Sequence, residues 1–123
     1  MHRAYYTREG GYAATAKLLR NKDRPTAIFV SSDLEAMGAL RAIHDFHLRI
    51  PEDIAVISFD GTADAHYTVP ALTTMQHNFA QLAQMAVAAA LTPLSVPDVQ
   101  LVKAELIIGN SCGCTPTAKI HQN

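Results

Sequence analysis

A chain of 123 residues suits one domain at most, and its 49% hydrophobic content is enough to build a core. Ten basic residues against eleven acidic ones leave a net charge of −1, and the cations are scattered, which excludes a phosphate-tracking nucleic-acid surface on this stretch. No apolar run reaches the roughly 18 residues of a membrane span. The opening Met1-His2-Arg3-Ala4-Tyr5-Tyr6 lacks the apolar core of a signal peptide, which makes the cytoplasm the expected location.

Thr7 is placed to cap a helix starting near Arg8 and carried by Ala13, Ala14, Ala16, Leu18 and Leu19. Gly10 and Gly11 weaken its first turn, and Pro25 stops it after a polar stretch. Thr26–Val30 is a short apolar run that reads as a strand buried on both faces. Ser32-Asp33-Leu34-Glu35 has the spacing of a capping box. It opens a helix with Leu34, Met37, Ala39, Leu40 and Ile43 as apolar positions, running to about Phe46. After a turn at Pro51, Ile54–Phe59 reads as a second buried strand ending at Asp60-Gly61. The stretch 62–71 reads as loop with room for one helical turn, and Leu72–Met75 as a short strand. Asn78 caps a further helix, Phe79–Leu91. Pro93 and Pro97 mark a connector, Leu106–Ile108 a last strand, and the tail from Asn110 onward reads as frayed.

Helices alternating with apolar strands imply an α/β fold, a parallel sheet with helices on both faces and right-handed crossovers. Ligands of such open sheets sit beyond the carboxyl ends of the strands. That rule selects Ser31-Ser32-Asp33, Asp60-Gly61, and the end of strand 72–75 with the start of the next helix. Catalytic and cofactor signals are missing: there is no G-x-S-x-G, phosphate loop or G-x-G-x-x-G, and the six histidines show no metal spacing. The chain therefore reads as a non-enzyme without cofactor or metal. Cys112 and Cys114 lack C-x-x-C spacing and are poorly placed to bond each other, so they read as two plain thiols.

Four segments, in order and in register, carry a resemblance. They are Arg24–Val30 with Ser32-Asp33-Leu34 and Met37–Ala42; Leu48–Asp60; Pro70–Met75; and Glu105–Ile108 with Ser111–Cys114. Together they resemble the lac repressor (LacI/GalR) family of bacterial transcription regulators. The resemblance implies a type I periplasmic-binding-protein-like fold of two α/β subdomains hinged around a small effector, a sugar or nucleobase-like molecule. It implies a homodimer, and operator binding through an N-terminal helix-turn-helix headpiece that residues 1–123 do not contain. On that reading, 1–123 is the C-terminal part of the effector-binding and dimerisation domain. The alternative is a sugar-binding protein of a transport system with the same fold.

The resemblance also nominates residues. Asp60 matches the first Asp of the family's Phe-Asp-Asp motif, and a carboxylate with two acceptor oxygens suits vicinal hydroxyls. Its alternative is a turn Asp before Gly61. Ser32 stands where many members place an effector-reading Asn, and its alternative is the helix cap. Tyr6 matches an aromatic position that can stack on a sugar or purine, or simply pack. Phe79 and Leu82 match cleft-lining positions, although their i, i+3 spacing favours core packing. Met37 and Tyr67 match surfaces used for dimerisation, and Asp33 reads as structural. Three departures stand out: His47 replaces the family's Gly before Leu48, Ser58 replaces the Gly that opens the family's Gly-Phe-Asp-Asp form of the motif, and Gly61 replaces its second Asp.

Overall fold

A computed structural model describes residues 6–92, 97 and 99–114. In chain order these form α1 (Arg8–Leu19), β1 (Ala27–Phe29), α2 (Asp33–Asp45), β2 (Ala55–Asp60), α3 (Asp64–Tyr67), β3 (Thr73–His77), α4 (Phe79–Leu91) and β4 (Ala104–Ile107). The strands make one sheet in the order β1-β2-β3-β4. The first three are parallel, with Ile28 opposite Val56, Ser58 opposite Thr74 and Asp60 opposite Gln76. β4 runs antiparallel to β3 and sets Glu105 opposite Gln76, so the sheet is mostly rather than purely parallel. An antiparallel edge strand on a parallel sheet is a common arrangement.

Local chemistry explains the helix starts. Thr7 Oγ1, Ser32 Oγ and Asn78 Oδ1 each accept from the backbone N–H three residues on, satisfying one of the free donors of α1, α2 and α4. α2 ends at a turn in which His47 has a φ of 57°, the left-handed region that Gly tolerates best. The next turn is held by Arg49, whose backbone N–H and guanidinium both donate to Asp53. The Pro93 connector, Tyr5 and the tail after Cys114 lie outside the described residues.

The core gathers Leu19, Ala36, Leu40, Ile43, Ile54, Val56, Ala65 and Leu72. Each large aliphatic side chain buried there contributes about 2 kcal/mol. α1 reaches this core by lying directly on α2. A Cβ on Gly11 would strike the Glu35 carbonyl, and one on Gly38 would strike the Arg8 carbonyl and the Tyr12 backbone nitrogen. The two glycines therefore set the helix–helix distance.

Two sequence expectations are corrected. β1 is not buried on both faces: among the described residues it is the edge of the sheet, and Phe29 keeps 65% of its surface exposed. The chain beyond Asn110 is not frayed up to Cys114. Ser111 is fully buried; its hydroxyl donates to the Val56 carbonyl (2.6 Å) and accepts from Thr73 N–H (2.9 Å), and its own carbonyl accepts from Val56 N–H (2.8 Å). Local polar patterning does not reveal this anchor, because both of its partners are distant in sequence.

Two outcomes test this packing. Gly38→Ala should lower unfolding stability in urea by about 1–3 kcal/mol, the usual cost of forcing extra volume into a filled contact; an unchanged midpoint would mean α1 does not dock on α2. The Arg49 side-chain hydrogen bond, followed by its backbone N–H, holds the Asp53 carboxyl down to about 2. A carboxyl depressed in the fold stabilises it above the ordinary carboxylate range and loses that contribution as pH falls toward 2. In an NMR titration Arg49→Ala should move the Asp53 midpoint upward, and an unmoved midpoint would contradict the contact.

Candidate functional site

The carboxyl ends of the parallel strands and the start of antiparallel β4 share one end of the sheet. The register places Asp60, Gln76 and Glu105 in one row across it. Beneath that row lies Asp33, the first residue of α2, with no exposed surface. Its carboxylate accepts from Ser58 Oγ (2.6 Å), Thr74 Oγ1 (2.7 Å), Thr62 N (2.7 Å) and Thr62 Oγ1 (2.9 Å). A buried carboxylate is tolerated when donors surround it in this way, and the N-terminal end of α2 adds favourable dipole charge.

The same set of bonds shapes the turn after β2. Thr74 Oγ1 donates to Asp33 and accepts from Gly61 N–H at 3.2 Å. Gln76 Nε2 donates to the Gly61 carbonyl at 3.2 Å. Gly61 has a φ of 71°, and a Cβ there would collide with the Gln76 backbone and side chain. This accounts for the missing second Asp of the motif. Ser58 in place of the motif's Gly is accounted for by its bond to Asp33.

Asp60 itself adopts a φ of 118°, a region that a residue with a Cβ enters only under strain. Its Oδ2 accepts from the Tyr6 hydroxyl at 3.3 Å, so the structure brings these two nominated residues together at the sheet end. Tyr6 remains 60% exposed, with its ring open to solvent.

A cleft of about 370 Å³ opens beside this row and is lined by Gln76, His77, Asn78, Phe79, Lys103 and Glu105 among others. Two of its lining residues belong to an aromatic series: Phe59 meets His77 edge-on at 4.8 Å, and His77 meets Phe79 at 6.1 Å. Phe79 is not core. It is 54% exposed, Leu82 one turn on is 37% exposed, and α4 has no buried residue. The helical spacing that suits core packing is thus met by an open surface. Sequence reasoning missed Gln76, His77, Lys103 and Glu105. The register opposite Asp60 finds Gln76 and Glu105 and needs the pairing of three strands; His77 and Lys103 are found by the lining of the cleft.

Ser32 stands apart from this group. It has no exposed surface, its hydroxyl accepts from Glu35 N–H at 3.1 Å, and it donates to Glu35 Oε2 at 3.0 Å. Ser31 donates to the same oxygen at 2.6 Å. Half-buried Met37 borders two shallow grooves, one with Arg8, Tyr12 and Asp45, the other with Leu40, His44 and Val69. Tyr67, nearby in sequence to Val69, is 85% exposed. Among the described residues no group of three metal-ligating side chains converges, and no helix is long and apolar enough to cross a membrane.

Comparison with known proteins agrees with this architecture. A family model described as a periplasmic binding protein-like domain matches residues 1–112. The HTH-type transcriptional repressor PurR of Edwardsiella ictaluri is 46% identical over 78 residues, which are 63% of this chain and 23% of that protein. The chain thus spans about a quarter of the length of such curated relatives. Among solved structures, a lac repressor dimer bound to operator and the anti-inducer ONPF is 31% identical with a TM-score of 0.83, over 89% of this chain and 39% of that one. A LacI family regulator from Arthrobacter sp. FB24 in complex with lactose is 30% identical with a TM-score of 0.77, over 88% and 42%. The chain belongs to the periplasmic-binding-protein-like family, within the LacI/GalR group of transcription regulators.

Proposed function

We propose that this chain is part of the effector-sensing unit of a cytoplasmic transcriptional repressor, without catalytic activity. The observation that carries the reading is Asp60: a strained, half-exposed carboxylate at the carboxyl end of a parallel sheet, beside an open cleft. Backbone strain of this kind is retained where it serves a site. The ligand is a small polyol or a nucleobase-like molecule. Asp60 accepts from its hydroxyl or ring N–H groups, while Tyr6 and Phe79 offer ring faces and Leu82 an apolar wall. Gln76, Lys103 and Glu105 add polar partners along the cleft. Ser32 acts from below, by fixing the start of α2 through its cap.

Regulation follows from coupling. A ligand held at this sheet end favours one arrangement of the effector domain over another, and operator affinity, residing in a headpiece outside this chain, changes with it. The groove surfaces around Met37 and the exposed Tyr67 supply the homodimer contact that such regulators use.

Titration calorimetry on the natural protein containing this segment, with a panel of sugars (lactose first) and nucleobases, tests the reading. Asp60→Ala should weaken the bound ligand by roughly 10- to 100-fold, the worth of hydrogen bonds to a charged group, with an unchanged unfolding midpoint. An affinity that survives the substitution would remove Asp60 from the site.

A further inference from the structure

Cys112 and Cys114 lie away from the cleft, where the chain leaves the sheet. They are the only two cysteines, and both are free. Residue 112 is fixed, because Ser111 before it is locked between Val56 and Thr73. In an extended segment residues i and i+2 stand about 7 Å apart, which is why the spacing argues against a mutual bond. Gly113 changes that geometry. Its φ of 75° folds the chain back, and Cys114 N–H donates to Cys112 Sγ at 3.2 Å.

The two sulfurs differ in character. Burial pushes the Cys112 thiol up, but hydrogen bonds from the Cys114 thiol, the Thr73 side chain and the local backbone outweigh it and bring the thiol below its ordinary value. Cys114, as the donor to Cys112, is pushed up, and it is exposed. An ionisable sulfur beside an accessible resolving thiol is the arrangement of a reversible thiol-exchange pair.

We propose that Cys112 and Cys114 form a dithiol–disulfide modification site that reacts with low-molecular-weight disulfides, Cys112 attacking and Cys114 resolving. The Cys112 thiolate attacks one sulfur of the small disulfide, whose S–S bond breaks and releases one thiolate. Cys114 then gives its proton to solvent and attacks Cys112 Sγ. The mixed disulfide breaks, the second small thiolate leaves, and both released thiolates take up protons. Two electrons pass from the protein to the small disulfide. The resulting ring is tight, and strained exposed disulfides are the labile, readily reduced ones.

The test is intact mass and thiol counting after incubation with excess oxidised glutathione. The expected product is a monomer that has lost both thiols and two hydrogens and carries no glutathione. Cys114→Ser should instead retain one glutathione on Cys112, and Cys112→Ser should react at least about tenfold more slowly. Two intact thiols, glutathione on both cysteines, or disulfide-linked dimers as the main product would overturn the proposal. Equal rates for the two serine variants would overturn the assignment of attacking and resolving sulfur.

Discussion

The buried carboxylate of Asp33 is the constraint around which the carboxyl end of the parallel strands is arranged. It accepts four hydrogen bonds from three residues on β2, β3 and the loop after β2. Each donor would be costly to leave unpaired in the interior, and so would the carboxylate. The three elements are therefore held to one another by a shared acceptor at the start of α2. The Asp60-Gly61 turn inherits its shape from this hub through Thr74, which relays the contact to Gly61 N–H. Asp60 is left in a strained conformation with its carboxylate half-exposed. A firm base under a partly open acceptor is what a small-ligand site needs.

Local signals were readable without a structure. The caps at Thr7, Ser32 and Asn78 place the starts of α1, α2 and α4, because a cap is a bond between neighbours in sequence. The apolar runs place β1 and β2 within a residue or two. What was not readable depends on contacts far apart in the chain. Ser111 looks like any polar tail residue until Val56 and Thr73 are seen on either side of it. Asp33 reads as structural from its place at a helix start, while its partners Ser58, Thr62 and Thr74, 25 to 41 residues away, are found only in the fold. The exposure of Phe79 and Leu82 also escapes local pattern, since a helix face shows what it can bury and not what covers it. The strand-end position of Asp60 is legible from the apolar run before it, whereas its place in one row with Gln76 and Glu105 needs the strand register.

The structure separates rigid and open parts. α1, α2 and β2 share the core, and α1 and α2 also share the glycine-spaced contact. α4, with Phe79, Leu82, Val87 and Leu91 exposed, shares none of the buried core. The cleft lies between these two kinds of structure, bordered by the fixed ends of β3 and β4 and by the first turn of α4. The solved neighbours are more than twice as long as this chain.

The most direct measurement is urea unfolding of Asp33→Ala with amide hydrogen exchange read at Gly61 and Thr62. Removing the shared acceptor strands three hydroxyls and one N–H, and should cost about 3 kcal/mol or more. Exchange at Gly61 and Thr62 should accelerate beyond what that global loss explains. A variant within about 0.5 kcal/mol of the parent, with both amides still protected, would show that the turn carrying Asp60 does not depend on this carboxylate.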